Sequence, residues 1–145
     1  MKTRFLIITL ISVFLFGCKS KVVKETVESY ADGSPKLVRA YKDDGKTREL
    51  IKETYYYPNH QKYMEGGYKD NKRDGNWSSW WQNGNIWSEG SFKDGLDDGK
   101  RTVYYENGKK LYEGHYTAGQ KTGIWKFYDD KGNFSKDENY GNVTN

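Results

Sequence analysis

From about Tyr55 to Tyr140, apolar and polar positions recur together every 24 residues. Glycines mark the register. Gly75, Gly99 and Gly123 form one set, and Gly84, Gly108 and Gly132 a second. Gly66, Gly90 and Gly114 form a third, each preceded by a glutamate (Glu65, Glu89, Glu113). One aromatic position is held by Tyr56, Trp80, Tyr104 and Tyr128, another by Tyr68, Phe92, Tyr116 and Tyr140. A third is held by Tyr57, Trp81 and Tyr105 until Asp129 breaks it, and Trp77 and Trp125 match across a gap filled by Arg101. A fixed period of this length marks a repeat architecture, in which each unit buries its apolar surface against its neighbours. Inside a unit, strand-forming residues flank a turn dipeptide, as Val103–Tyr105 and Lys110–Tyr112 flank Asn107-Gly108. Asn-Gly in that setting predicts a two-residue type I′ hairpin, because both central residues of that turn need positive φ. Asn83-Gly84 repeats the signal, and Asp32-Gly33 opens a weaker upstream copy. Asn59-His60 is the poor version, expected to loosen its turn.

The second connection of each unit reads as longer, with Gly95 and Gly99, then Gly119 and Gly123. The expected fold is therefore all-β: an elongated antiparallel meander of stacked hairpins in a single twisted sheet. About five hairpin units fit residues 28–140, the first degenerate and joined on through a longer connection at Asp43–Lys52. Because side chains alternate faces along a strand, Trp77, Ser79 and Trp81 share one face and Ser78, Trp80 and Gln82 the other. Equivalent positions of successive units fall two strands apart, about 10 Å, too far for direct contact. The intervening strand has to fill that gap.

Composition narrows what such a sheet can be. Aromatics are 17% of the 145 residues, 13 of them tyrosines, while mean hydropathy is −1.04. So polar a chain builds no thick aliphatic core, yet disordered chains are poor in aromatics. Rings that pack flat and keep a polar edge wet must supply the buried area.

The first residues follow different rules. Lys2 and Arg4 precede a 12-residue apolar run, Phe5 to Phe16, and then Gly17-Cys18. This reads as a secretory signal peptide over 1–17, too short to span a bilayer as a helix. The Leu15-Phe16-Gly17-Cys18 stretch resembles a bacterial lipobox, with Phe16 bulkier than usual there. That resemblance implies lipidation of Cys18, an 18–27 tether, attachment without spanning, and a place in the cell envelope. Lys19-Ser20, without acidic sorting residues, point to the periplasmic face of the outer membrane, with a Gram-positive cell surface as the alternative. Residues 141–145 read as a C-terminal tail. Cys18 is the one cysteine, so no intrachain disulfide forms. Removing Lys2 and Arg4 takes the 24 basic residues to 22 against 20 acids, a net charge of +2. No basic stripe marks a nucleic-acid binder.

The run Trp77, Trp80-Trp81-Gln82-Asn83-Gly84, Glu89-Gly90, Phe92, Gly95, Gly99, with its copies at Tyr104–Gly123 and Trp125–Gly132, resembles bacterial MORN-type repeats. In particular it resembles the variant found in the YwqK-type antitoxin family of toxin–antitoxin systems. The resemblance extends over roughly residues 27–140. It implies a protein-binding role of antitoxin or immunity type, while the repeat itself is a scaffold that many functions use.

Catalytic chemistry finds no footing. His60 falls in a turn, His115 precedes the repeated Tyr116, and no nucleophile–base set accompanies either. The acidic turns Asp70–Asp74 and Asp94–Asp98 lack the spacing of a calcium loop. No catalytic residue, metal site or cofactor is expected. Aromatic surface is what remains, with Trp80, Trp81, Trp87, Tyr104, Tyr105 and Tyr128 as candidate binding residues, since such rings favour protein contacts. The expected function is non-enzymatic binding of a protein partner in the envelope, the membrane being held through the N-terminal lipid. The alternative is an envelope scaffold that is structural or binds glycan or membrane.

Overall fold

The computed structural model describes residues 20–142. The expected signal segment and Cys18 lie outside the described residues. Eleven strands follow one another: β1 (Lys21–Ser29), β2 (Pro35–Asp43), β3 (Arg48–Tyr56), β4 (Lys62–Lys69), β5 (Lys72–Trp80), β6 (Ile86–Lys93), β7 (Leu96–Asp97), β8 (Gly99–Tyr104), β9 (Lys110–Thr117), β10 (Gln120–Tyr128) and β11 (Phe134–Asn139). All lie in one open antiparallel sheet whose order follows the chain, with the short β7 pairing β6 beside the main path. The expected all-β meander of hairpins is thus the fold. Its units are β1–β2, β3–β4, β5–β6, β8–β9 and β10–β11.

The tether is shorter than expected. Residues 21–27 are strand, paired with β2 from Lys21↔Asp43 onward. Their Lys-Val-Val-Lys pattern reads as a polar tether, but a short, heavily charged segment with a few valines is also what an edge strand carries. The connection within Asp43–Lys52 is longer, as expected, but shorter than that whole range. Its turn is Asp44–Thr47, four residues where the equivalent turns of later units have two, while β3 keeps the nine residues of β5.

The two kinds of turn are exchanged relative to expectation. At Asn83-Gly84, Trp81 N–H donates to Asn85 O (2.8 Å) and Gly84 N–H to Trp81 O (2.9 Å), closing a three-residue loop. Positive φ falls on Gly84 alone of its three residues (88°), as in a type I turn followed by a left-handed residue. Tyr105–Lys109 and Asp129–Asn133 repeat that pattern. The expected longer connections are instead the two-residue turns with both residues at positive φ: Asp70-Asn71 (50°, 59°), Asp94-Gly95 (52°, 89°) and Ala118-Gly119 (48°, 82°). Gly75 and Gly123 lie inside β5 and β10, and Gly99 opens β8. Nor is the Asn59-His60 turn loosened. It keeps the same two backbone hydrogen bonds, with His60 forced to φ 66° where its copies have glycine.

The principal contacts of every strand are with its sheet neighbours. Burial is therefore achieved across strands on one face. Trp77 and Trp125 are 4% and 1% exposed in what is a one-layer sheet. Each indole lies flat on the glycine opposite: a Cβ on Gly66 or Gly114 would stand 2.1 Å from Cδ2 of the Trp. Rings close the sides. Trp77 lies edge-on between Tyr68 (5.7 Å) and Phe92 (5.8 Å), and Trp125 between Tyr116 (5.0 Å) and Tyr140 (5.8 Å). Arg101 takes the indole's place between Phe92 and Tyr116, its guanidinium 5.4 and 5.9 Å from the ring centres. Glu53 starts the row, 2% exposed, accepting from Arg39, Tyr55 and Tyr68 at 2.8 Å each. Burial pushes the Glu53 carboxyl up, but those three donors outweigh it and hold it below the ordinary range. The side of the sheet bearing this row is called the indole face below, and the opposite side, bearing Glu65, Glu89 and Glu113, the carboxylate face.

Candidate binding faces

At the three-residue-turn end of the indole face, the rings of neighbouring units meet. Tyr57 and Tyr63 are 5.1 Å apart, Tyr63 and Trp87 6.4 Å, and Trp87 and Trp81 5.3 Å, all half-buried. Tyr63 and Trp87 are 24 residues apart in the chain, so the expectation that equivalent positions cannot touch is corrected. A β-bulge explains it. The β5–β6 register slips between Ser79↔Ser88 and Trp80↔Ile86, and the β3–β4 register slips likewise at Tyr63. The extra residue breaks strict alternation, and Trp87 joins Trp81 rather than Trp80.

Successive units are also joined by polar contacts. Tyr30, Tyr57 and Tyr105 donate from Oη, and Trp81 from Nε1, to the backbone oxygens of Tyr56, Trp80, Tyr128 and Tyr104 respectively (2.7–3.3 Å). Asp129 ends this row in the β10–β11 unit, the last among the described residues. Asn59, Asn83 and Asn107 make a second row, each donating from Nδ2 to the next turn's carbonyl at Gln82, Glu106 and Asp130. Asn83 and Asn107 also accept from the backbone N–H two residues on, at 2.9 Å. Asparagine recurs before the glycine because its amide serves both contacts.

Trp80, Tyr104 and Tyr128 lie on the carboxylate face. Tyr104 donates to Glu89 (3.2 Å) and Tyr128 to Glu113 (3.1 Å). Lys52 and Lys62 reach Glu65 at 3.0 Å each, while Lys100 and Lys110 reach Glu113 at 2.9 and 3.1 Å. Hydrogen bonding from Lys100, then Lys110 and Tyr128, holds the Glu113 carboxyl at about 2 against the opposing effect of burial. Burial pushes Glu65 up, but its two lysines keep it below its ordinary value. Clefts of about 420, 310 and 170 Å³ sit along this face at Asn76–Tyr104, Lys100–Lys126 and Lys24–Glu65.

The six candidate aromatics thus divide: Trp81, Trp87 and Tyr105 on one face, Trp80, Tyr104 and Tyr128 on the other. Tyr57 and Tyr63 complete the first group, and no sequence signal singled them out beyond their period. Gly75, Gly84, Gly90, Gly99, Gly108, Gly114, Gly123 and Gly132 lie at turns, ladder slips or beneath large side chains. His60 and His115 are exposed. Among the described residues, no group of His, Cys, Asp and Glu is arranged to hold a metal, and no helix is long and apolar enough to cross a membrane.

No curated protein and no solved structure matches the chain. A family model does match twice, at residues 73–94 (β5–β6) and 97–118 (β8–β9), starting 24 residues apart (97 against 73). Both matches are to the MORN repeat variant, and this chain therefore carries MORN-type repeats at its centre.

Proposed function

We propose that the chain is a non-enzymatic scaffold that binds a protein partner across the aromatic strip of the indole face. The observation behind this is the contiguous, half-exposed set Tyr57, Tyr63, Trp87 and Trp81, over which no second layer packs among the described residues. Large amphipathic rings on a rigid support form contact surfaces at little entropic cost. The lipobox-like start supports attachment through Cys18 in the cell envelope, at the periplasmic face of the outer membrane. The likeness to YwqK-type antitoxins supports a partner of toxin type, neutralised by contact.

The test is affinity purification of the full-length protein from envelope extracts, beside the Trp81→Ala/Trp87→Ala and Trp80→Ala variants. Circular dichroism and the unfolding midpoint check that each variant folds. A single protein recovered with the parent and with Trp80→Ala, but reduced at least tenfold with the double variant, is expected. Equal recovery with the double variant overturns the assigned face. Recovery of polysaccharide in place of protein overturns the partner class. Rescue of growth on co-expression with the recovered protein tests the antitoxin role.

A further inference from the structure

The carboxylate face carries one motif three times, and the middle copy lacks both of its lysines. In the second hairpin, the Lys62 ammonium lies 3.0 Å from Glu65 and 5.6 Å from the centre of the Trp80 ring. In the fourth, the Lys110 ammonium lies 3.1 Å from Glu113 and 5.8 Å from the centre of the Tyr128 ring. Each lysine is held between a carboxylate and an aromatic ring of the next unit. A second lysine, Lys52 or Lys100, completes the neutralisation. In the third hairpin the carboxylate is Glu89 and the ring is Tyr104, whose hydroxyl donates to Glu89 at 3.2 Å. At the two lysine positions, 24 residues beyond Lys62 and Lys52, stand Ile86 and Asn76. Glu89 is exposed and makes no ion pair among the described residues. It faces a cleft of about 420 Å³, lined also by Asn76, Ser78, Lys100, Thr102 and Tyr104. Lys100 is the nearby cation, and its ammonium is already bonded to Glu113 at 2.9 Å.

We infer that Glu89 and the Tyr104 ring form a receptor for a primary ammonium supplied from outside the chain, a lysine side chain of the protein partner. The protein's own Lys62 and Lys110 show the bound geometry. A carboxylate and a ring face both attract a cation. Ile86, 38% exposed, gives the incoming lysine's methylenes an apolar surface to lie on. Asn76, Ser78 and Thr102 offer neutral partners for the peptide around it. The inference rests on the partner-binding reading above but occupies the other face, so a bound protein would wrap an edge of the array or contact it from both sides.

The experiment is a nuclear magnetic resonance titration of the folded protein with acetyl-trilysine amide. The Nε-acetylated peptide and phosphatidylethanolamine vesicles serve as comparison probes. Shifts centred on Glu89 and Tyr104, with no response to the acetylated peptide, are expected. Glu89→Gln should weaken binding at least tenfold. Ile86→Lys should do the same, because it supplies the internal lysine that the flanking units have. Glu65→Gln should change binding less than twofold. Trilysine binding equally well to Glu89→Gln, or to Ile86→Lys, overturns the site. Glu89-dependent binding of the vesicles without binding of trilysine overturns the protein source of the ammonium. The two readings fail separately: the titration bears on this site alone, and purification with the Trp81→Ala/Trp87→Ala variant bears on the indole face alone.

Discussion

The seats at Gly66 and Gly114 hold an indole with a cation over it, whereas the seat between them, at Gly90, holds a cation with an anion beside it. Arg73 lies 4.2 Å from the Trp77 ring centre and Lys121 lies 4.4 Å from that of Trp125. At the middle seat Arg101 replaces the indole, and Asp97, at the position of Arg73 and Lys121, replaces the cation and pairs with Arg101. Burial holds the Arg101 guanidinium below its ordinary value. One backbone register thus accepts two chemistries, provided both partners change together. A flat, delocalised side chain is what the seat requires, and guanidinium and indole both satisfy it.

Substitution of the glycine should separate the two kinds of seat most strongly. Gly114→Ala drives a methyl into the rigid Trp125 ring and should cost about 3 kcal/mol in urea unfolding. Gly90→Ala meets the Arg101 Nε at 2.7 Å, where a flexible chain can yield, and should cost about 1 kcal/mol. Equal losses would show that the seats do not differ as described. The exchange of partners comes next. Arg101→Trp alone and Asp97→Lys alone should each cost about 1–2 kcal/mol, the first by stranding Asp97, the second by facing two cations. The double variant restores the flanking pattern and should fall within about 0.5 kcal/mol of the parent, a coupling of roughly 2 kcal/mol. Additive losses would break the comparison.

The lysine-paired carboxylate of the fourth hairpin should leave a smaller mark. Glu113 has its folded pKa at about 2 against an ordinary 4.5. Its stabilisation is present in full above pH 4.5 and is lost as pH falls towards 2. With solvent screening of the exposed lysines this amounts to about 1 kcal/mol. Urea unfolding at pH 5 and pH 2.5 should show that the Glu113→Gln variant loses correspondingly less on acidification. Smallest is the turn at His60. His60→Gly relieves a left-handed side chain but adds entropy to the unfolded chain, for a net gain of about 0.5 kcal/mol. A loss there would mean the His60 side chain makes a stabilising contact.

The period, the hairpins and the strand order were legible in the chain because they rest on local signals: turn residues, strand formers and exact recurrence. The purpose of the Glu-Gly glycine was not. Gly66 and Trp77 both recur visibly, but only the register Gly66↔Trp77 brings them face to face. The turn types were misjudged because Asn-Gly suits either geometry, and the choice is made by an amide reaching a carbonyl one unit away. Alternation separated Trp80 from Trp81 correctly. It could not place Trp87, which a bulge turns to the same side as Trp81. The change from Lys62 to Ile86 stood in the repeat pattern from the start. It acquired meaning once Lys62 was seen between a carboxylate and a ring.

Contacts that run only from one unit to the next have a mechanical consequence. Pulled apart by its two ends, a sheet of this order is loaded so that its hydrogen bonds open one at a time, like a zipper, rather than all in shear. The outermost hairpin has a neighbour on one side alone and should yield first. Each detached unit then releases about 24 × 3.3, or roughly 80 Å, of extended chain. Held at one end and pulled at the other, such an array lengthens in discrete steps while the remaining units keep their fold.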